Sequence, residues 1–114
     1  MGSPLTTHVL DLRIGAPAVG VALRLERKDA RGAWYGLAAS RTNEDGRAPE
    51  FLSEGALEAG VYRLMFDTGA YFAAQGVEHF HPQVAIEFVV TQAQRHHHVP
   101  LLLSPFGYST YRGS

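Results

Sequence analysis

Apolar residues recur in this chain with a period of two, and that spacing limits its fold more than any other feature. Val19, Val21, Leu23 and Leu25 alternate with Gly20, Ala22, Arg24 and Glu26, and Val84, Ile86, Phe88 and Val90 alternate with Ala85, Glu87, Val89 and Thr91. In the run Tyr62, Leu64, Phe66, the residues Arg63 and Asp67 take the other face. Successive side chains of an extended strand point to opposite sides, so each run reads as a strand with one buried face. Turn-forming clusters separate the runs: Gly15-Ala16-Pro17, Asp29-Ala30-Arg31-Gly32, Asn43-Glu44-Asp45-Gly46 and Glu58-Ala59-Gly60. The spacing predicts strands over 5–12, 19–28, 33–43, 60–67, 84–91, 96–103 and 106–112, with a short edge strand near 50–53. Seven or eight short strands with such turns predict an all-β, two-sheet antiparallel sandwich. The segment 67–76 breaks the alternation, and there Thr68 is expected to cap one short helix near 68–75 that Gly76 ends. A chain of 114 residues holds one core and not two, so residues 1–114 are expected to form a single domain.

Charge and composition exclude several functions. A net charge of −1 gives no electrostatic basis for holding nucleic acid or an acidic membrane. No apolar run approaches the roughly 20 residues of a membrane-spanning helix. The chain has no cysteine, so disulfides and thiolate chemistry are excluded. The start Met-Gly-Ser-Pro-Leu-Thr-Thr has neither the basic segment nor the apolar core of a secretory leader, and a cytoplasmic location is expected.

Histidine supplies the candidate chemistry. His96, His97 and His98 are consecutive, so on a strand His96 and His98 share one face and His97 takes the other. Val99, Leu101 and Leu103 lie on the His97 side, which is therefore the core side; Pro100 and Leu102 join His96 and His98 outside. On the first strand Val9 faces the core, which places Thr6, His8 and Leu10 outside. Arg47 follows the Asn43–Gly46 turn, with its guanidinium free to reach over a sheet face. In the tail, Phe106, Tyr108 and Thr110 are expected in the core, and Gly107, Ser109 and Tyr111 at the surface. A second His-x-His, His79 and His81, precedes Pro82 and reads as a loop leading into a strand. Two imidazoles on an outer strand face can bind a metal, exchange protons, or simply be solvated, and the spacing does not choose.

Four segments together resemble a known family. His8-Val9-Leu10-Asp11 followed by Gly15-x-Pro17-Ala18 resembles the N-terminal signature of the transthyretin family, and His98 to Thr110 resembles its C-terminal signature. Thr42-Asn43-x-Asp45-Gly46-Arg47 is a further match, and Tyr111-Arg112-Gly113-Ser114 resembles the tail of the family's enzymatic branch, which hydrolyses 5-hydroxyisourate in urate degradation. The resemblance implies a transthyretin-like sandwich assembled as a homotetramer, a dimer of dimers whose outer faces line a central channel. That assembly would cover the apolar outer residues Leu10, Pro100, Leu102 and Tyr111. It also implies an active site of His8, Arg47, His98 and Ser114, with His96, Tyr111, Arg112 and Gly113 contributing to substrate binding and no cofactor. The implied reaction opens the substrate's six-membered ring by attack of water, giving a ureidoimidazoline carboxylate. One position departs: His97 stands where the signature normally has tyrosine, and because it faces away from the channel, altered packing or surface polarity with an intact site is expected. Two rivals remain at this point, a zinc site of His8, His96 and His98, and a non-enzymatic carrier using the channel.

Overall fold

The structure, a computed structural model, describes residues 2–114. Its elements are β1 (Leu5–Asp11), β2 (Ala16–Pro17), β3 (Ala22–Lys28), β4 (Trp34–Arg41), β5 (Gly60–Phe66), α1 (Thr68–Ala73), β6 (Val84–Val90), β7 (His97–Ser104) and β8 (Gly107–Thr110). They form two four-stranded sheets, ordered β2-β1-β7-β8 and β4-β3-β5-β6. Their inner faces pack as the alternation predicts: Leu5, Val9 and Leu101 of one sheet and Leu25, Leu64 and Phe66 of the other are fully buried. No helix among the described residues is long and apolar enough to cross a membrane.

The sandwich is the expected one, but one strand pair runs the other way. β1 and β7 are parallel, with Thr6 opposite His98, His8 opposite Pro100 and Leu10 opposite Leu102; every other pairing is antiparallel. This central pair matters most for function, because it aligns residues some ninety positions apart on a single face.

Several local expectations need correction. Val19 is exposed rather than core, because Gly20 takes a left-handed backbone (φ 82°) and strand alternation starts only at Ala22. No edge strand forms near 50–53. There the Leu52 N–H donates 3.0 Å to the buried Ser3 hydroxyl instead of to a neighbouring strand, and Glu50 sits at φ 57°. The short β2 at Ala16–Pro17 occupies the sheet edge. Phe106 and Tyr108 are exposed, not core, since β8 is an edge strand bonded on one side only. The helix is capped by Asp67, whose carboxylate accepts from the Ala70 N–H at 3.2 Å, one residue before the expected Thr68. Gly76 (φ 66°) ends the helical turn as predicted.

Candidate functional site

On the outer face of the β1–β7 pair, strand alternation brings Thr6 and His8 beside His98, and all three are half-buried. The inner residues Leu5, Thr7, Val9 and His97, Val99, Leu101 are held in the core, so this outward set is fixed by the packing beneath it. Thr6 Oγ1 lies 2.8 Å from His98 Nδ1 and 3.0 Å from His96 Nε2. The two imidazoles lie nearly parallel, at 14°, with centroids 6.5 Å apart. The hydroxyl occupies the gap between them.

Arg47 arrives on the other edge of β1. The Asn43 side chain accepts from the backbone N–H groups of Asp45 (2.9 Å) and Arg47 (3.1 Å), folding the chain back on itself. Gly46 turns at φ 75°, and its carbonyl takes the Val9 N–H at 2.8 Å. A side chain at Gly46 would run into the Val9 carbonyl, so the turn that delivers Arg47 needs glycine. Arg47 then bridges His8 in antiparallel fashion, which sets both side chains on the outer face.

The tail closes the opposite flank. β8 ends at Thr110, after which Gly113 returns to bridge His98 and donates its N–H to the His98 carbonyl at 2.8 Å. A Cβ on Gly113 would collide with the His98 imidazole, so the residue type sets how closely tail and ring approach. Arg47, His96, His98 and Ser114 line one open pocket of about 560 Å³, together with Thr6 and Glu50. His8 stands beside it through its bridge to Arg47. Tyr111 and Arg112 are not brought into that pocket. They line a smaller one of about 230 Å³ with Phe88 and Val99, and His98 walls both.

Electrostatics favour an uncharged His98. Burial holds its imidazole below the ordinary value, Arg47, His96 and His8 press in the same direction, and a hydrogen bond to the Thr6 backbone partly opposes them. His97, only 5% exposed on the inner face, is lowered by burial too; its Nδ1 lies 2.8 Å from the Arg95 carbonyl, so that nitrogen carries the proton. Among the described residues, no three His, Asp or Glu side chains converge as metal ligands would.

Residue patterning identified the faces of His8, His97 and His98 but missed what Thr6 does. Alternation puts Thr6 outside; only the parallel register shows that it sits opposite His98.

The profile of the HIUase/Transthyretin family matches residues 5–113. The chain belongs to that family. A 5-hydroxyisourate hydrolase of Mus musculus is 50% identical, over 98% of this chain and 96% of the relative. Among solved transthyretin-family structures, sea bream transthyretin in complex with thyroxine superposes with a TM-score of 0.93 at 38% identity, covering 97% of this chain and 95% of that one. The 5-hydroxyisourate hydrolase of Klebsiella pneumoniae superposes at 0.84 with 42% identity, covering 96% and 98%. Shape and sequence thus order these two family members oppositely. The fold does not separate the hydrolase from the thyroxine-bound protein, and the site has to.

Proposed function

We propose that this chain is a 5-hydroxyisourate hydrolase, working as a single transthyretin-like domain, and that the β1–β7 outer face is its active site. The observation that carries this reading is the gathering of a neutral-biased His98, His8, Arg47 and the Ser114 tail around one face. Identity of 50% to a curated hydrolase over nearly the whole chain supports it.

The chemistry follows from what each group can do. With His98 Nδ1 engaged by Thr6, Nε2 is left to take a proton from water, and its bias toward the neutral form keeps that lone pair available. The water oxygen attacks the ring carbonyl, and negative charge grows on the carbonyl oxygen. Arg47 offers a planar, permanently charged fork to that oxygen and to the neighbouring amide edge. Cleavage of the carbon–nitrogen bond then needs a proton on the departing nitrogen, returned by His98 with His8 orienting the water and the ring. Ser114 contributes its hydroxyl or terminal carboxylate to binding. His96 and Gly113 border the same space, while Tyr111 and Arg112 line the neighbouring pocket on the other side of His98.

A homotetramer built as a dimer of dimers belongs to the same proposal, as does action in the cytoplasm. Support for assembly comes from apolar side chains left open on one chain, among them Ile14, Val19, Phe80, Val89 and Phe106. β6 and β8 are also free sheet edges, which strand pairing between chains would satisfy. A second reading, carriage of an apolar ligand in the channel, is favoured by the superposition on thyroxine-bound sea bream transthyretin. It gives the cationic site no task. Ultraviolet absorbance of freshly generated 5-hydroxyisourate separates the two: rapid enzyme-dependent decay is expected, and decay at the spontaneous rate would favour the carrier.

A further inference from the structure

We propose that Thr6 is a positioning residue that couples His98 to His96 as a proton relay, with His96 as the solvent-facing end. This rests on the hydrolase reading above and adds residues to it. The geometry carries the inference: one hydroxyl oxygen stands at 2.8 Å from His98 Nδ1 and 3.0 Å from His96 Nε2. A hydroxyl has one proton to donate and can accept as well, so at least one ring must present N–H to it, and in the relay it accepts from one ring and donates to the other. In that arrangement the protonation of one imidazole sets that of its neighbour. Thr6 is β-branched and lies on a strand whose register is fixed by the core below it, which restricts where its hydroxyl can point.

Before reaction, His98 Nδ1–H donates to Thr6, and the Thr6 hydroxyl donates to His96. When His98 Nε2 takes a proton from water, positive charge appears in a half-buried ring beside a guanidinium. The His98 Nδ1–H bond then breaks as its proton passes to Thr6 Oγ1, and the Thr6 O–H bond breaks as that proton passes to His96 Nε2. Thr6 ends with the one proton it began with, His98 is neutral with Nε2–H, and the charge rests on the exposed His96 ring. The reverse shift restores Nδ1–H while Nε2–H goes to the departing nitrogen, so the proton taken from water is the one delivered. The charged and titratable groups facing the pair are His8 of β1, Arg47 and Glu50 beyond the Gly46 turn, and Arg112 and the Ser114 carboxylate of the tail. None of these links the two rings.

The test compares Thr6→Val, Thr6→Ser, His96→Asn and the Thr6→Val/His96→Asn double variant. Thr6→Val should lower kcat about 10- to 100-fold with KM within about twofold, and Thr6→Ser should stay within about threefold of the original protein. The double variant should be no slower than the slower single one, because both changes cut the same path. Unchanged kcat in Thr6→Val, a Thr6→Ser protein as slow as Thr6→Val, or additive losses would each overturn the relay. A second readout does not depend on turnover: the imidazole nitrogens of His96 and His98 followed by NMR across about pH 5 to 9. Mutually dependent titrations that become independent in Thr6→Val are expected, and titrations unaltered by that substitution would overturn the coupling. If the unaltered protein fails to consume 5-hydroxyisourate, the hydrolase reading falls and the NMR result alone decides on the coupling.

Discussion

On the outer face of the β4-β3-β5-β6 sheet arginines are matched by a carboxylate, whereas on the outer face of β1 and β7 they are not. Arg24 and Arg63 both bind Glu26, and the Arg63 guanidinium lies 4.4 Å from the Trp34 ring centroid. The two guanidinium bonds hold the Glu26 carboxyl below its usual range. Across the molecule, Arg47 is gathered with His8, His96 and His98, and among the described residues no carboxylate lies within ion-pair reach of Arg47 or His98. There Glu26 already balances two guanidinium charges, each held through its Nε–H. The β1–β7 cluster keeps its guanidinium and a ring nitrogen directed at an open pocket, which suits it to charge that appears during a reaction. The two faces use similar residue types, so the number of charged residues says little about function. What separates them is whether the charges are already satisfied.

That contrast can be broken. Arg47→Ala should lower kcat/KM about 10²- to 10³-fold, with losses in both kcat and affinity, because the positive group serves substrate and oxyanion alike. Steady-state kinetics on 5-hydroxyisourate check it, and near-normal turnover would place Arg47 in the same structural category as Arg63. A smaller effect is expected inside the sandwich. Burial lowers both His97 and His98 from the ordinary 6.5, so the unfolded chain binds protons first as pH falls. Their contribution to stability is complete above about pH 6.5, declines as pH drops toward the lowered folded values, and is flat below them. His97→Phe removes one of the two groups and should shrink the loss of Tm between about pH 7.5 and 5 by a few degrees, measured by thermal unfolding. An identical loss in the variant would show that His97 does not titrate on unfolding. The smallest effect belongs to the satisfied face: Glu26→Gln should cost under about 1 kcal/mol in stability and leave kcat and KM unchanged. A catalytic defect in that variant would erase the distinction between the faces.

Much of this arrangement is visible in the sequence, for reasons specific to each element. Period two assigns the faces of β1, β5, β6 and β7 because each has one side in the core, and a one-residue error would bury His8 or expose Val9. It fails at Val19, where a left-handed glycine interrupts the strand, and at Phe106 and Tyr108, where an edge strand lacks a cover. Local patterning also says nothing about which strands become neighbours. The parallel pairing of β1 with β7 joins the two ends of the chain, and the role of Thr6 depends entirely on it. Tyr111 and Arg112 were expected at the main pocket from family resemblance, yet the chain turns them toward the smaller one as β8 ends.

The most direct measurement is the rate at which freshly generated 5-hydroxyisourate disappears in the presence of the unaltered protein and of His98→Ala at equal concentration, with folding of both verified by circular dichroism. Rapid loss with the first and a rate at least ~10²-fold lower with the second is the expected result. Equal rates from two equally folded proteins would contradict the assignment of this face as the site of hydrolysis.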